Sequence, residues 1–140
     1  MRFSPRRWSK WRRWPSRPLR RPDLSDYTAA DPAFARLPGS IRYRVGAAFA
    51  WELGCEGSGL LVPIPQGYTF DVSIPRGLRW AFDPHDARFL KAAAVHDNLL
   101  ERGWDRVSAA GPFHQALKAD GVGRLARLAM LLAVALWRFG

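Results

Sequence analysis

His96 and Asp97 stand side by side in the stretch Ala92–Arg102, AAAVHDNLLER. A neutral imidazole is a general base near pH 7, and a carboxylate is a hard oxygen ligand suited to calcium. On a helix, adjacent residues differ in direction by about 100°, so the two side chains can face different targets. His96 could then activate a water while Asp97 holds a metal or a neighbouring segment. Asp71, in TFDVSIP, is the nearest candidate for a second carboxylate, provided its strand approaches the helix. The competing reading is structural. His96 shares an apolar face with Phe89, Ala93 and Leu100, and a histidine so placed is more often a satisfied core residue than a base. Asp71, Ser73, His96 and Asp97 would then form a polar latch that pins strand to helix. In that latch His96 bonds a backbone carbonyl or Asp71, and Asp97 caps a loop or binds Arg76 or Arg79.

The elements that would position these residues follow from pattern. Ile41–Tyr43 and Ala48–Leu53 are short β-type runs, and Gly54 ends the second. GCEGSG is a turn; LLVPIP after it is a strand whose prolines suit an edge. PQGY turns into TFDVSIP, followed by a loop to His85, a histidine expected to be exposed. Asp86 can cap a helix running to about Arg102, with Gly103 ending it. A second helix is expected within Val107–Ala119, weakened at Gly111-Pro112, and a third over Arg124–Phe139. Trp80 and Trp104 are expected to fill the core. The fold class is α+β: a small antiparallel sheet followed by three helices, with an extended basic N-terminal arm. Residues 1–22 form the arm, 23–40 a linker or irregular cover, and 41–140 a single domain.

Charge divides the chain in the same way. Residues 1–22 carry nine of the 22 basic side chains and no acid, leaving thirteen basic against twelve acidic in the remainder. The net charge of +10 therefore belongs to the arm. The arm lacks the apolar run of a secretion signal, and its prolines break any long helix. Trp8, Trp11 and Trp14 recur every third residue among Arg6, Arg7, Arg12 and Arg13. That combination suits docking onto a partner protein, with nucleic acid or a membrane surface as the alternatives. Cys55 is the only cysteine, which excludes a disulfide framework and a cysteine-based zinc site. Leu128–Trp137 gives ten apolar residues between Arg127 and Arg138, about half of what a bilayer crossing requires. A core helix is expected there, with an interfacial or partner-facing helix as the alternative.

The runs VPIPQGYTFDVSIPRGLRW, AAAVHDNLLERG and FHQALKADGV, with a closing helix ending WRFG, resemble in order the phage and prophage family of domain of unknown function 1353. Its pattern has a V-P-x-G-[FY] turn, an aspartate before S-I-P, an A-A-x-x-H-D-x-L-Y helix, and an acid three residues before a late phenylalanine. The resemblance covers about residues 41–140. Three positions depart from it: the Asp71–Ser73 segment is one residue shorter, Leu100 replaces the tyrosine, and Ala110 stands where the acid is expected. What the resemblance implies is a structural protein of a phage-type particle, at the tail or its tip. It would be made in the bacterial cytoplasm and docked through the arm onto other virion proteins. The VHDN helix is also similar to the active-site helix of calcium-dependent phospholipases, in which histidine activates water, the next aspartate holds calcium and a distant aspartate orients the imidazole. That similarity implies the alternative, a small hydrolase of lipid or cell-wall bonds with His96 as base and Asp97 and Asp71 toward calcium. Carbonyls of the GCEGSG turn could add ligands. Against it, Val107–Lys118 holds no carboxylate, and His114 is the remaining polar candidate there. The residues therefore favour a structural role without a cofactor.

Overall fold

The computed structural model describes residues 33–72, 74 and 78–136. The arm with Trp8, Trp11, Trp14 and its arginines lies outside the described residues, as do Ser73 and Arg76.

Strands β1 (Phe34–Arg36), β2 (Arg42–Val45), β3 (Phe49–Glu52), β4 (Leu61–Ile64) and β5 (Thr69–Asp71) precede helices α1 (Ala87–Glu101), α2 (Arg106–Ala119) and α3 (Arg124–Leu136). The strands form two small antiparallel sheets, one ordered β1-β2-β5 and one pairing β3 with β4. This is the α+β order that the sequence predicts, with the strands divided between two sheets. Strand β1 falls within residues 23–40, the segment expected to be a linker or irregular cover; Phe34 pairs with Val45 and Arg36 with Tyr43. Phe34 also packs edge-on against Phe49 and Phe70. A single aromatic anchors a strand too short to show a period of its own.

Alternation selects the core face. In β2, Tyr43 and Val45 are buried while Arg42 and Arg44 are exposed; in β4, Val62 and Ile64 are buried. Pro63 stands opposite Ala50 in the two-stranded sheet, where each strand has a free edge that tolerates a missing N–H. Phe49 and Trp51 point inward together, and Trp51 is fully buried. Trp80 and Trp104, expected in the core, are instead 86% and 38% exposed. Trp80 stands in a loop and Trp104 between two helices, outside the alternation that turns Trp51 inward.

Helix caps follow the sequence closely. The Asp86 carboxylate accepts from the Arg88 N–H, and Asp105 accepts from Ser108 N–H at 3.0 Å, each satisfying a donor left over at a helix start. Gly103 (φ 88°) follows α1 and Gly121 (φ 77°) follows α2, a left-handed conformation that glycine adopts without a Cβ penalty. Helix α2 runs through Pro112, the point where the sequence predicts a weakened helix. The carbonyl deprived of its partner belongs to Ser108, which is exposed, and the Pro112 ring is buried. Lys91, only 2% exposed, reaches the Asp120 carboxylate at 2.8 Å, tying α1 to the C-cap of α2. Among the described residues, no helix is long and apolar enough to cross a membrane.

Candidate functional site

The site forms where β5 and the segment after it meet α1, α2 and α3. Its cavity has a volume of about 230 Å³. The predicted helix face of Phe89, Ala93, His96 and Leu100 lines it, joined by Asp97 from the neighbouring position. Asp71, Val72 and Ile74 supply the strand side; Phe113 comes from α2, and Met130, Ala133 and Val134 from α3. The wall is therefore apolar except where His96, Asp97 and Asp71 stand beside one another.

Strand β5 pairs with β2 on one side and presents its other edge to α1. An unpaired edge N–H removed from water needs a partner. Asp97 supplies it: its Oδ2 accepts from the Asp71 N–H at 2.9 Å. The two aspartates thus meet through a carboxylate and a backbone amide. Asp97 Oδ1 stands 3.6 Å from His96 Nδ1, close enough for an electrostatic contact though beyond a well-formed hydrogen bond.

His96 is nine-tenths buried, and its ring meets the Phe113 ring edge-on with centroids 5.4 Å apart. Its Nε2 is shielded from bulk water and has no hydrogen-bond partner among the described residues; the same holds for Asp71 Oδ1. The bond expected between His96 and Asp71 or a backbone carbonyl is not the one formed. The contact across the strand–helix seam runs instead from Asp97 to the Asp71 backbone. Arg79, one of the alternative partners expected for Asp97, donates its Nε–H to the Ile74 carbonyl at 3.0 Å. The helix α2 neighbour of His96 is Phe113, and His114 does not line the cavity. Burial first, then the positive charges of Arg127 and Lys118, hold His114 below the usual imidazole range.

Tyr68 has no neighbouring residue in sequence that marks it as functional, yet burial, then the carboxylates of Glu101 and Asp97, push its phenol well above its ordinary range. The V-P-x-G-[FY] turn was the one signal that could have directed attention to it. His85, expected to be a lone exposed histidine, is exposed but not alone: its Nδ1 is 2.6 Å from the Tyr43 hydroxyl.

Calcium, implied by the phospholipase likeness, does not fit this arrangement. One Asp97 oxygen is engaged by a backbone N–H. In the GCEGSG turn, Glu52 accepts from the Gly57 and Gly59 N–H groups, so the turn directs donors toward a carboxylate. Among the described residues, no group of three or more His, Cys, Asp or Glu could hold a metal ion.

What the arrangement can do is proton transfer beside an apolar chain. In the tautomer that carries its proton on Nδ1, the nitrogen nearer Asp97, the Nε2 lone pair is free, as a general base needs. The described lining contains no serine, threonine or cysteine, and water is a nucleophile that such a base can activate.

The family described as Protein of unknown function (DUF1353) matches residues 49–134, more than half of the chain and nearly all of the elements that build the site. No curated protein and no solved structure matches the chain.

Proposed function

We propose that this chain, which belongs to the DUF1353 family, is a small hydrolase that uses His96 to activate water against a carboxylic ester carrying an apolar chain. The observation that carries this reading is the buried Nε2 of His96, without a hydrogen-bond partner among the described residues, on a residue that lines a largely apolar cavity. Leaving a buried acceptor without a partner costs about 1–3 kcal/mol. A latch selected only for stability gains nothing from that, nor from the open space beside it. For comparison, an apolar cavity of roughly 150 Å³ already admits benzene.

In the reaction, water enters with the substrate and places a proton on Nε2 as its oxygen attacks the ester carbonyl. Asp97, beside Nδ1, stabilises the imidazolium that forms. Collapse of the tetrahedral adduct breaks the bond to the alcohol, and the imidazolium returns its proton to the departing oxygen. The products are a carboxylic acid and an alcohol, and His96 is neutral again. No metal step is needed.

The test uses the purified full chain and p-nitrophenyl esters of increasing acyl length. Hydrolysis is expected to rise with chain length until the cavity is full. His96→Gln should lower kcat/KM by at least about a hundredfold, the contribution of a positioned base, while the protein stays folded. Absence of turnover by the parent, or equal turnover by the variant, rules the reading out.

A second reading is favoured by the Asp97 bond to the Asp71 N–H, which does tie strand to helix. In it the pair is a latch, and the chain is a structural component of a phage-type particle docked through residues 1–22. Detection of the protein in purified particles, together with inert ester assays, would favour it.

A further inference from the structure

Helix α3 has two apolar faces. One, with Met130, Ala133 and Val134, lines the cavity. On the other stand Leu125, Leu128, Leu132 and Leu136, which are 84%, 41%, 58% and 75% exposed. At about 100° per residue these four fall within an arc of roughly 80°. They make a continuous leucine stripe along the full length of α3 that no described element covers.

The area of the stripe argues against a second copy of the chain as its cover. At about 25 cal/mol per Å² and 1.5–3 kcal/mol per side chain, a leucine presents on the order of 100 Å². Four partly exposed leucines on each of two copies would bury on the order of 500 Å², less than half of what a stable interface requires. Charge points the same way. From Gly121 to Gly140 the sequence has three arginines and no carboxylate, so two copies of this helix would bring like charges together. Arg124 and Arg127 belong to α3 itself, and nine further basic residues lie in the first 22. Arg127 turns away from the stripe to donate to the Val122 carbonyl, and an apolar stripe flanked by Arg124 on a chain with so basic an N-terminal segment complements a surface that is apolar inside and anionic outside, which is an anionic lipid bilayer. Thirteen residues span about 20 Å, enough to lie along that surface.

We propose that the outer face of α3 seats this protein on anionic lipid membranes, with Leu125, Leu128, Leu132 and Leu136 entering the headgroup boundary. The inner face of the same helix walls the cavity, so docking brings the apolar chamber next to lipid. In this respect the inference rests on the hydrolytic reading, and it narrows the substrate class to esters of membrane lipids. The docking itself does not depend on it.

The experiment is co-sedimentation of the full chain with vesicles of phosphatidylcholine, alone and in an equimolar mixture with phosphatidylglycerol. It is run at low salt and at high salt, where attraction from the N-terminal arginines is screened. The parent is expected to bind the mixed vesicles and to keep part of that binding at high salt. The triple variant Leu125→Gln, Leu132→Gln, Leu136→Gln should lose the salt-resistant part by at least roughly tenfold, with an unchanged melting temperature. Leu125→Gln alone should give a smaller loss in the same direction. Equal binding by the triple variant, or binding that disappears entirely at high salt, overturns the proposal. So does a parent dimer that the triple variant disperses without any vesicle binding. His96→Gln keeps the two proposals apart: it should bind vesicles like the parent. Vesicle binding without ester turnover would remove the hydrolytic reading and leave the docking surface. Turnover of soluble esters without vesicle binding would do the reverse.

Discussion

Replacing Ala133 with leucine on the inner face of α3 should stabilise the protein and narrow its substrate range together. Ala133 is half-buried and lines the same 230 Å³ cavity as His96. Empty apolar space costs about 24 cal/mol per Å³, which for a dry cavity of 230 Å³ is about 5.5 kcal/mol; water entering at the mouth lowers that figure. Leucine adds three carbons, and at about 0.8 kcal/mol for each buried methylene the full gain is about 2 kcal/mol. Loss of side-chain freedom takes back about 0.5–1 kcal/mol, so a net gain of about 1–2 kcal/mol is expected. For a domain of this size that raises Tm by roughly 5–10 °C. The measurements are thermal melts of parent and variant, with ester hydrolysis across acyl lengths. Longer esters should lose activity first, since the added side chain occupies the volume they need, while acetate should be turned over as before. A variant that melts below the parent would mean that the space is already filled and the added atoms overpack it. That result, with an unchanged chain-length profile, would refute the cavity as the substrate site.

Other expectations come from the buried polar contacts. Asp120→Ala leaves the Lys91 ammonium buried without its partner and should cost about 3–5 kcal/mol in chemical denaturation. The double variant Lys91→Met, Asp120→Ala should recover most of that loss, because no charge then remains to be desolvated. Asp97→Ala removes the acceptor of the Asp71 N–H and should cost about 1–3 kcal/mol; Asp97→Asn, which keeps an oxygen, should cost less. The phenol of Tyr68 is held neutral in the folded protein by burial and by nearby carboxylates, so the unfolded chain releases that proton first. Its stabilising contribution is complete below about pH 10, the ordinary range of the group, and declines as pH rises beyond it. Tyr68→Phe should flatten the alkaline limb of a stability–pH curve, and an unchanged limb would show that another group governs it.

Much of the scaffold was legible in the chain because its signals are local. Asp86 and Asp105 cap their helices through donors two or three residues away. Gly103 and Gly121 follow where α1 and α2 end, and strand alternation selects Tyr43, Val45, Val62 and Ile64 for the core. The helical period also grouped Phe89, Ala93, His96 and Leu100, and all four line the cavity. Residue types alone restricted the chemistry, with a lone cysteine and no carboxylate between Val107 and Lys118. What the polar residues do with one another was decided by packing across long separations. Asp97 meets the Asp71 backbone 26 positions away, and Lys91 meets Asp120 at 29. Trp51 is enclosed while Trp80 stands in solvent. Spacing along a strand or helix shows which side of it a residue occupies. It does not show which carboxylate oxygen arrives opposite which amide, or how much space remains between three helices and a strand edge. Those quantities depend on distances between elements, and only the closed tertiary structure sets them.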